Sequence, residues 1–145
     1  MKAKAFLQQY KEALIKTEIL KDKIKHLENA ILTAAQFDRT PKPTYKDSKT
    51  EKTAVKLAIL KEKYKRQLLE AELISQNISD LILKIPNIKY QTLLYYRYIK
   101  FYKWVDVSEV LATRFNRKYD EKYIITEMNG RALEEMQKIL DERNI

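Results

Sequence analysis

Residues that interrupt helices are rare in this chain, and their rarity limits the folds that it can adopt. Its 145 residues include one Gly and three Pro. A β-sandwich or a barrel needs many turns, and Gly and Pro are the strongest turn formers. Hydrophobic residues make up 45% of the chain and charged residues 34%, which is typical of a folded protein with much exposed helix surface. The sequence therefore predicts an all-α fold with long helices.

An apolar stripe with heptad spacing runs along the N-terminal part of the chain. Its residues follow alternating steps of four and three: Phe6, Tyr10, Ala13, Thr17, Leu20, Ile24, Leu27, Ile31 and Ala34. This spacing is that of a coiled-coil seam. Residues 36–50 include Pro41 and Pro43 among polar turn formers, so they predict a loop. A second helix is predicted from about Glu51 to Leu83.

Two helices of similar length joined by one loop are expected to fold back as an antiparallel hairpin over residues 1–85. A hairpin alone has little core, so its apolar stripe needs a cover. We expect a second copy to provide it, in a homo-oligomer such as a dimer. The predicted association residues are Phe6, Tyr10, Leu20, Ile24, Leu27 and Ile31. The alternative is a monomer whose C-terminal helices pack on the hairpin.

Pro86 predicts the start of a second, trihelical domain over residues 86–145, because Pro cannot continue a helix's hydrogen-bond ladder. Its expected helices cover about Lys89–Phe101, a segment from near Lys103, and Glu121–Asp141. Residues 116–120 are polar and turn-like, and Asp120 is expected to cap the last helix. The last two helices would then form a helix-turn-helix, an arrangement that presents a helix to the DNA major groove.

Several side-chain contacts are predicted within this second domain. The buried stripe of its last helix is expected to be Ile125, Met128, Ala132, Met136 and Ile139. Tyr98, Phe101 and Trp104 are expected to pack between the third and fourth helices, with stacking on single-stranded bases as the alternative. Arg97 is expected to pair with Asp106.

Gly130 lies inside the last predicted helix, where it costs about 1 kcal/mol relative to Ala. Such a cost usually has a packing reason, so close approach of the third helix is expected. Close approach of DNA is the alternative.

The net charge of +9 favours a polyanionic partner such as nucleic acid. The positive excess is seven in residues 1–85 and two in residues 86–145. Ten basic and three acidic residues lie between Arg39 and Arg66. This basic run is either an edge that contacts phosphates or a solvated face.

No arrangement of residues indicates an enzyme, a metal site or a cofactor site. The chain has one His and no Cys, which cannot form a zinc site of the usual type, and His26 is expected on the surface. One Gly excludes the phosphate-binding Gly-rich loops. The adjacent Glu134 and Glu135 point to different sides of a helix. No apolar run is long enough for a membrane span and no signal peptide is visible, so a cytoplasmic protein is expected. Because no catalytic arrangement is present, no small-molecule substrate is expected.

Three groups of residues in the C-terminal half together form a recognisable motif. They are Leu94, Arg97, Tyr98 and Ile99; Trp104, Asp106 and Val107; and Gly130, Arg131, Ala132 and Leu133. In these residues the chain resembles the sigma-factor region 4-like regulators of phages and prophages of Gram-positive bacteria, the group of the ArpU and RinA transcriptional regulators. In its layout of helices and loop the resemblance extends over nearly the whole chain.

The resemblance implies a DNA-binding regulator of phage or mobile-element genes in the bacterial cytoplasm. Its partners would be double-stranded DNA and, in some settings, host RNA polymerase. The implied base-reading residues are Tyr123, Thr126 and Glu127, and the implied phosphate contacts are Arg114, Arg117, Lys118, Lys122 and Arg131.

The chain departs from the family pattern in two ways. The stretch from Trp104 to Gly130 is longer by about seven residues, nearly two helical turns. Either the fourth helix is longer or the turn at residues 114–120 is enlarged. Glu127 also lies where the family pattern would place a cation, although Glu can accept a hydrogen bond from cytosine.

Two other functions fit the sequence. The chain could be an adaptor or inhibitor that binds a phage or host protein through the hairpin, without DNA binding. A role like that of the small terminase subunit in DNA packaging is the third option, although the usual order of DNA reader and oligomerising helices is reversed here.

Overall fold

The computed structural model describes residues 1–37 and 45–143, and the side chains of residues 1–34 and 51–143. Within these ranges all regular secondary structure is helical, and there is no strand. The all-α prediction is confirmed. The same ranges contain no helix that is long and apolar enough to cross a membrane.

Two long helices occupy the first part of the chain. Helix α1 spans Ala3–Phe37 and helix α2 spans Tyr45–Ile82. The predicted loop was too long at both ends, since residues 36–37 and 45–50 are helical. Pro41 and Pro43 are the residues there that oppose a helix, whereas polar residues such as Asp47 and Ser48 are tolerated in a first helical turn. The rest of the predicted loop, residues 38–44, lies outside the described residues.

Three further helical segments follow α2, and two of them contain a π-helical turn. Helix α3 spans Ile88–Leu94 and continues as π1, Tyr95–Ile99; α4 spans Trp104–Phe115; α5, Glu121–Tyr123, continues as π2, Ile124–Met128, and then as α6, Asn129–Arg143. The three predicted C-terminal helices are therefore present, with ends within two residues of those expected.

The chain divides into two compact units. Unit 1 comprises Met1–Glu12 and Glu72–Ile145, and unit 2 comprises Ala13–Ala71. The core of unit 1 combines Phe6 and Leu7 of α1 with Ile78 and Ile82 of α2 and with the C-terminal helices. Its members from those last helices include Leu93, Leu94, Val107, Leu111, Ile124, Met128, Ala132, Met136 and Leu140.

Hydrogen bonds attach the start of α1 to α6 within unit 1. Gln137 Oε1 accepts from the backbone N–H of Ala3 at 2.8 Å, and Gln137 Nε2 donates to the carbonyl of Met1 at 3.2 Å. The first residues of α1 are therefore part of the same folded unit as the C-terminal helices. Between the two helices of unit 2, Lys61 Nζ lies 3.3 Å from Glu28 Oε1.

The buried stripe of the last helix begins one residue earlier than predicted. Ile124 is fully buried, whereas Ile125 exposes 40% of its surface, so the prediction for Ile125 was wrong. Met128, Ala132 and Met136 are buried as expected, and Ile139 packs partly against the core. The cause is π2, because its wider i→i+5 turn contains one extra residue and changes which side chain faces the core.

Two non-glycine residues with left-handed backbone end helices in unit 1. Phe101 has φ 59° and follows π1, and Asn116 has φ 50° and ends α4. Asn is a common residue at such an end because it tolerates this conformation, whereas Phe adopts it at a steric cost. The Phe101 ring packs parallel to that of Tyr10 on α1, with centroids 5.5 Å apart.

Candidate nucleic-acid interface

The eight residues predicted to contact DNA are all exposed. They lie on three consecutive parts of unit 1: the last turns of α4, the turn at residues 116–120, and the helix from α5 to α6. They are Arg114, Arg117, Lys118, Lys122, Tyr123, Thr126, Glu127 and Arg131. Because five of them are basic and the other three carry a hydroxyl or a carboxylate, the set could hold phosphates and also read base edges.

Core contacts fix the turn that carries Lys118. Ser108 Oγ on α4 donates to the carbonyl of Tyr119 at 2.7 Å, and the Tyr119 ring is buried. Lys89 Nζ lies 5.9 Å from the centroids of both the Tyr119 and Phe115 rings, on the α3 side. The turn is therefore held on both sides, and its exposed cations start from a fixed backbone.

Asp120 caps the helix that follows the turn, as predicted. Its Oδ1 accepts from the N–H of Lys122 at 3.4 Å, with an extended backbone at Asp120. The capping carboxylate lies between Lys118 and Lys122 in sequence, so it lowers the local positive charge. Both lysines are exposed, and neither forms a salt bridge within the described part of the chain.

Two of the predicted phosphate contacts stack on tyrosines. Arg114 donates a hydrogen bond to the Tyr96 hydroxyl, and its guanidinium carbon lies 5.0 Å from the centroid of the Tyr96 ring. The guanidinium of Arg117 lies 5.8 Å from the centroid of the Tyr119 ring. Stacking of this kind orients a guanidinium and leaves its edge able to donate to an acceptor.

The predicted reading residues lie on one continuous helix, with Tyr123 in α5 and with Thr126 and Glu127 in π2. Thr126 Oγ1 donates to the carbonyl of Lys122 at 2.7 Å, so its hydroxyl is held against its own helix. Glu127 Oε2 lies 3.8 Å from Arg131 Nη2, one turn further on. Arg131, itself a predicted phosphate contact, therefore offsets the negative charge of Glu127. The Tyr123 ring is exposed.

Arg97 does not pair with Asp106, which corrects that prediction. Its Nη1 donates to the carbonyl of Tyr102 at 2.9 Å, and its guanidinium carbon lies 4.4 Å from the centroid of the Trp104 ring. The Tyr102 carbonyl lies in the linker between π1 and α4, and the Trp104 indole lies at the start of α4. Both are nearer to Arg97 along the chain than Asp106 is. Arg97 therefore stabilises that linker rather than a charge pair.

The other aromatic residues serve mainly in packing. Tyr98 is buried, and its hydroxyl donates to Asn129 Oδ1 at 3.3 Å across to α6. Burial raises the pKa of the Tyr98 hydroxyl, while Asn129 and the charge of Arg97 partly oppose the shift. Trp104 packs partly against the core as expected. Phe101 exposes 40% of its surface and stacks on Tyr10 of α1, so its predicted place between the third and fourth helices was wrong.

Gly130 is exposed and faces open space, which overturns the predicted packing reason. A Cβ built at this position would have no neighbouring atom within 4 Å among the described residues, and φ is not positive. No approach of α3 therefore requires Gly at this position. The alternative, an approach by DNA, stays a prediction.

The predicted association residues differ in their surroundings. Phe6 belongs to the core of unit 1 and Tyr10 packs against that core. In unit 2, Leu20, Ile24, Leu27 and Ile31 are half-buried. Leu27 lines an open, mostly apolar pocket of about 500 Å³ in unit 2 together with Leu60 and His26, whose predicted surface position is confirmed.

A set of exposed apolar residues on α2 was not among the predicted functional residues. Val55, Ile59 and Leu69 each expose more than half of their surface. Steps of four and three connect them through Glu62 and Arg66, so the signal was a second heptad pattern on this helix. It was hidden because two of its five positions are charged.

Among the described residues, no three or more His, Asp or Glu are grouped so that they could hold a metal ion. An open groove of about 480 Å³ lies beside α4, lined by Tyr96, Tyr102, Asp106, Glu109 and Arg114 among others. Its mixed charges and openness are those of a surface groove.

No protein-family model, curated protein or solved structure matches this chain.

Proposed function

We propose that this chain is a DNA-binding transcriptional regulator of phage or mobile-element genes. In this proposal residues 86–145 form a sigma region 4-like helix-turn-helix made of α4 and the helix from α5 to α6. Residues 1–85 form the helical hairpin. The observation that carries the proposal is the joint exposure of all eight implied DNA contacts on consecutive segments of unit 1.

The phosphate contacts are assigned to the cations around the turn. Lys118 and Lys122 are exposed on a backbone that Ser108 and the Asp120 cap hold in place. Arg114 and Arg117 are oriented by tyrosine rings. Such preset cations lose less side-chain freedom when they meet a phosphate than freely rotating ones would.

Base reading is assigned to Tyr123, Thr126 and Glu127. The Glu127–Arg131 pair is exposed and therefore weak, so it can separate at little cost. Glu127 would then accept from a cytosine amino group while Arg131 turns to a phosphate. The resemblance to sigma region 4-like regulators also implies host RNA polymerase as a protein partner.

The test is binding of the full chain to duplexes from the promoter regions of its own phage or element, at two salt concentrations. We expect Lys118→Ala with Lys122→Ala to weaken binding at every sequence and to flatten the slope of log affinity against log salt by about two. Lys21→Ala with Lys25→Ala, on exposed positions of α1, is the control that removes equal charge. Equal losses in both variants, or an unchanged slope, would overturn the assignment.

Glu127→Gln separates base reading from simple charge. If Glu127 accepts from cytosine, the variant relaxes the preference at one base pair, worth about 1–3 kcal/mol of discrimination. If Glu127 only holds Arg131, the variant binds every duplex more tightly and selects no differently. The second result would remove Glu127 from the set of reading residues.

A second candidate is an adaptor or inhibitor that binds a phage or host protein through the hairpin. The exposed large apolar side chains of unit 2 favour it, because such side chains are common in surfaces that bind another protein. This candidate would be favoured if the chain bound no duplex at low salt but did bind a defined protein partner. Ile59→Asp should then abolish the binding of that partner.

A further inference from the structure

A stripe of five exposed residues runs along α2 in unit 2. It consists of Val55, Ile59, Glu62, Arg66 and Leu69, hereafter the outer stripe. Val55, Ile59 and Leu69 expose 58%, 51% and 63% of their surface. Steps of four, three, four and three place all five on one line of the helix. Apolar residues at both ends therefore enclose an oppositely charged pair at the centre.

In either direction along the helix, the outer stripe from Ile59 to Leu69 has the same order of apolar and charged positions. Only the acidic and the basic residue exchange places. Ile59 and Leu69 lie at equal distances on either side of position 64, and so do Glu62 and Arg66. A copy of the stripe turned end to end would thus place apolar opposite apolar and acid opposite base. Self-complementarity of this kind is what a twofold interface between identical surfaces requires.

We propose that the outer stripe is the docking surface for a second copy of this chain, antiparallel about a twofold axis near position 64. Glu62 of one copy then faces Arg66 of the other, twice, and Ile59 faces Leu69, twice. The proposal does not rest on DNA binding.

The isolated chain can release the charged pair at low cost. Arg66 Nε lies 3.7 Å from Glu62 Oε1 within one copy, and both side chains are exposed. An exposed pair along a helix contributes little to stability, so exchanging partners between copies loses little. In the dimer the same charges are flanked by apolar residues that exclude water, where complementary charges select the partner and its orientation.

A second copy fits the outer stripe better than a nucleic acid. DNA or RNA phosphates would attract Arg66 but repel Glu62, and would leave three large apolar side chains uncovered. Lys63 and Lys65 disfavour the dimer, because each lies beside the twofold axis and is repelled by the same lysine of the second copy. Lys56 opposite Glu70 of the second copy partly compensates. Salt of physiological strength screens the repulsion between exposed lysines.

Charge exchange tests both the partner and the direction. The full chain is followed by sedimentation equilibrium over about 10 µM to 1 mM, a range suited to a small interface. We expect dimers, at least a tenfold weaker association for Glu62→Arg and for Arg66→Glu, and recovery to within about threefold when both changes are combined. Circular dichroism confirms that each variant is folded.

Each contrary result overturns the proposal. A monomer throughout the range removes the second copy as the occupant. A dimer that neither single change weakens uses another surface, such as the seam of Leu20, Ile24 and Leu27. Weakening by the single changes without recovery in the double variant excludes the antiparallel pairing.

The absence of Cys from the sequence allows a second, geometric test. A Cys at Lys63 lies beside its own copy across the axis, whereas a Cys at Lys52 is separated from its copy by roughly 36 Å along the helices. We expect a short thiol-specific cross-linker to join copies of Lys63→Cys and not those of Lys52→Cys. Equal cross-linking of both, or of Lys52→Cys alone, contradicts the proposed register.

Discussion

The guanidinium of Arg97 lies on the ring of Trp104, 4.4 Å from its centroid, and connects the end of π1 to the start of α4. The same group donates to the carbonyl of Tyr102, in the four-residue linker between the two helices. One side chain thereby satisfies a linker carbonyl and covers an indole face. The contact thus holds the linker from which α4 starts, and α4 leads into the turn with the candidate DNA contacts.

Replacing Arg97 with Ala should destabilise the chain by about 1–2 kcal/mol, because a cation–π contact and a hydrogen bond from a charged donor are lost. Urea unfolding measures the change. Asp106→Ala is the control and should change stability by less than about 0.5 kcal/mol, as for a surface substitution. If Asp106→Ala matched the loss of Arg97→Ala, the Arg97–Asp106 pairing would be the correct description after all.

The hydroxyl of Tyr119 is buried without a hydrogen-bond partner among the described residues. An unsatisfied buried hydroxyl is costly, so Tyr119→Phe should leave stability unchanged or raise it by up to about 1 kcal/mol. Tyr98→Phe is a matched comparison at another buried tyrosine. It loses the bond to Asn129 and should cost about 0.5–1.5 kcal/mol. Equal losses at the two positions would show that the Tyr119 hydroxyl is satisfied in solution.

Side-chain identity predicted some of these features because their causes are local. Asp120 was recognisable as a cap because a short acceptor before a helix has few other roles. Pro86 was recognisable as a helix boundary for a similar local reason. The helices themselves followed from heptad spacing and from the lack of Gly and Pro.

Other features depend on geometry that a regular repeat does not contain. The change from Ile125 to Ile124 follows from π2, since a spacing rule of 3.6 residues assumes i→i+4 bonds throughout. Arg97 contacts Trp104 because the linker folds back, and the conformation of a linker leaves no periodic pattern in the sequence. Gly130 was expected to mark a close contact, but the space around a residue depends on tertiary packing, which no local spacing rule contains.

The stability of the chain should fall at high pH through Tyr98. Burial raises the pKa of its hydroxyl above the ordinary value of 10.0, so the folded state favours the protonated form. That stabilisation is complete below the unfolded pKa and is lost as pH rises through the folded one. Wild type should therefore lose stability relative to Tyr98→Phe above about pH 10. Parallel pH curves for the two proteins would contradict the raised pKa.

Gly130→Ala should stabilise the chain by roughly 1 kcal/mol, because the position is helical, exposed and open, and Ala is the better helix former. Gly130→Ser should give a smaller gain, in line with its lower helix propensity. Thermal unfolding of the three proteins measures this order, and a loss of stability in either variant would indicate a contact at Gly130. The same variants then probe the proposed interface. If a DNA backbone approaches Gly130, Gly130→Ala binds duplexes more weakly although it is more stable. Unchanged DNA affinity in both variants would show that this part of α6 lies outside the contact.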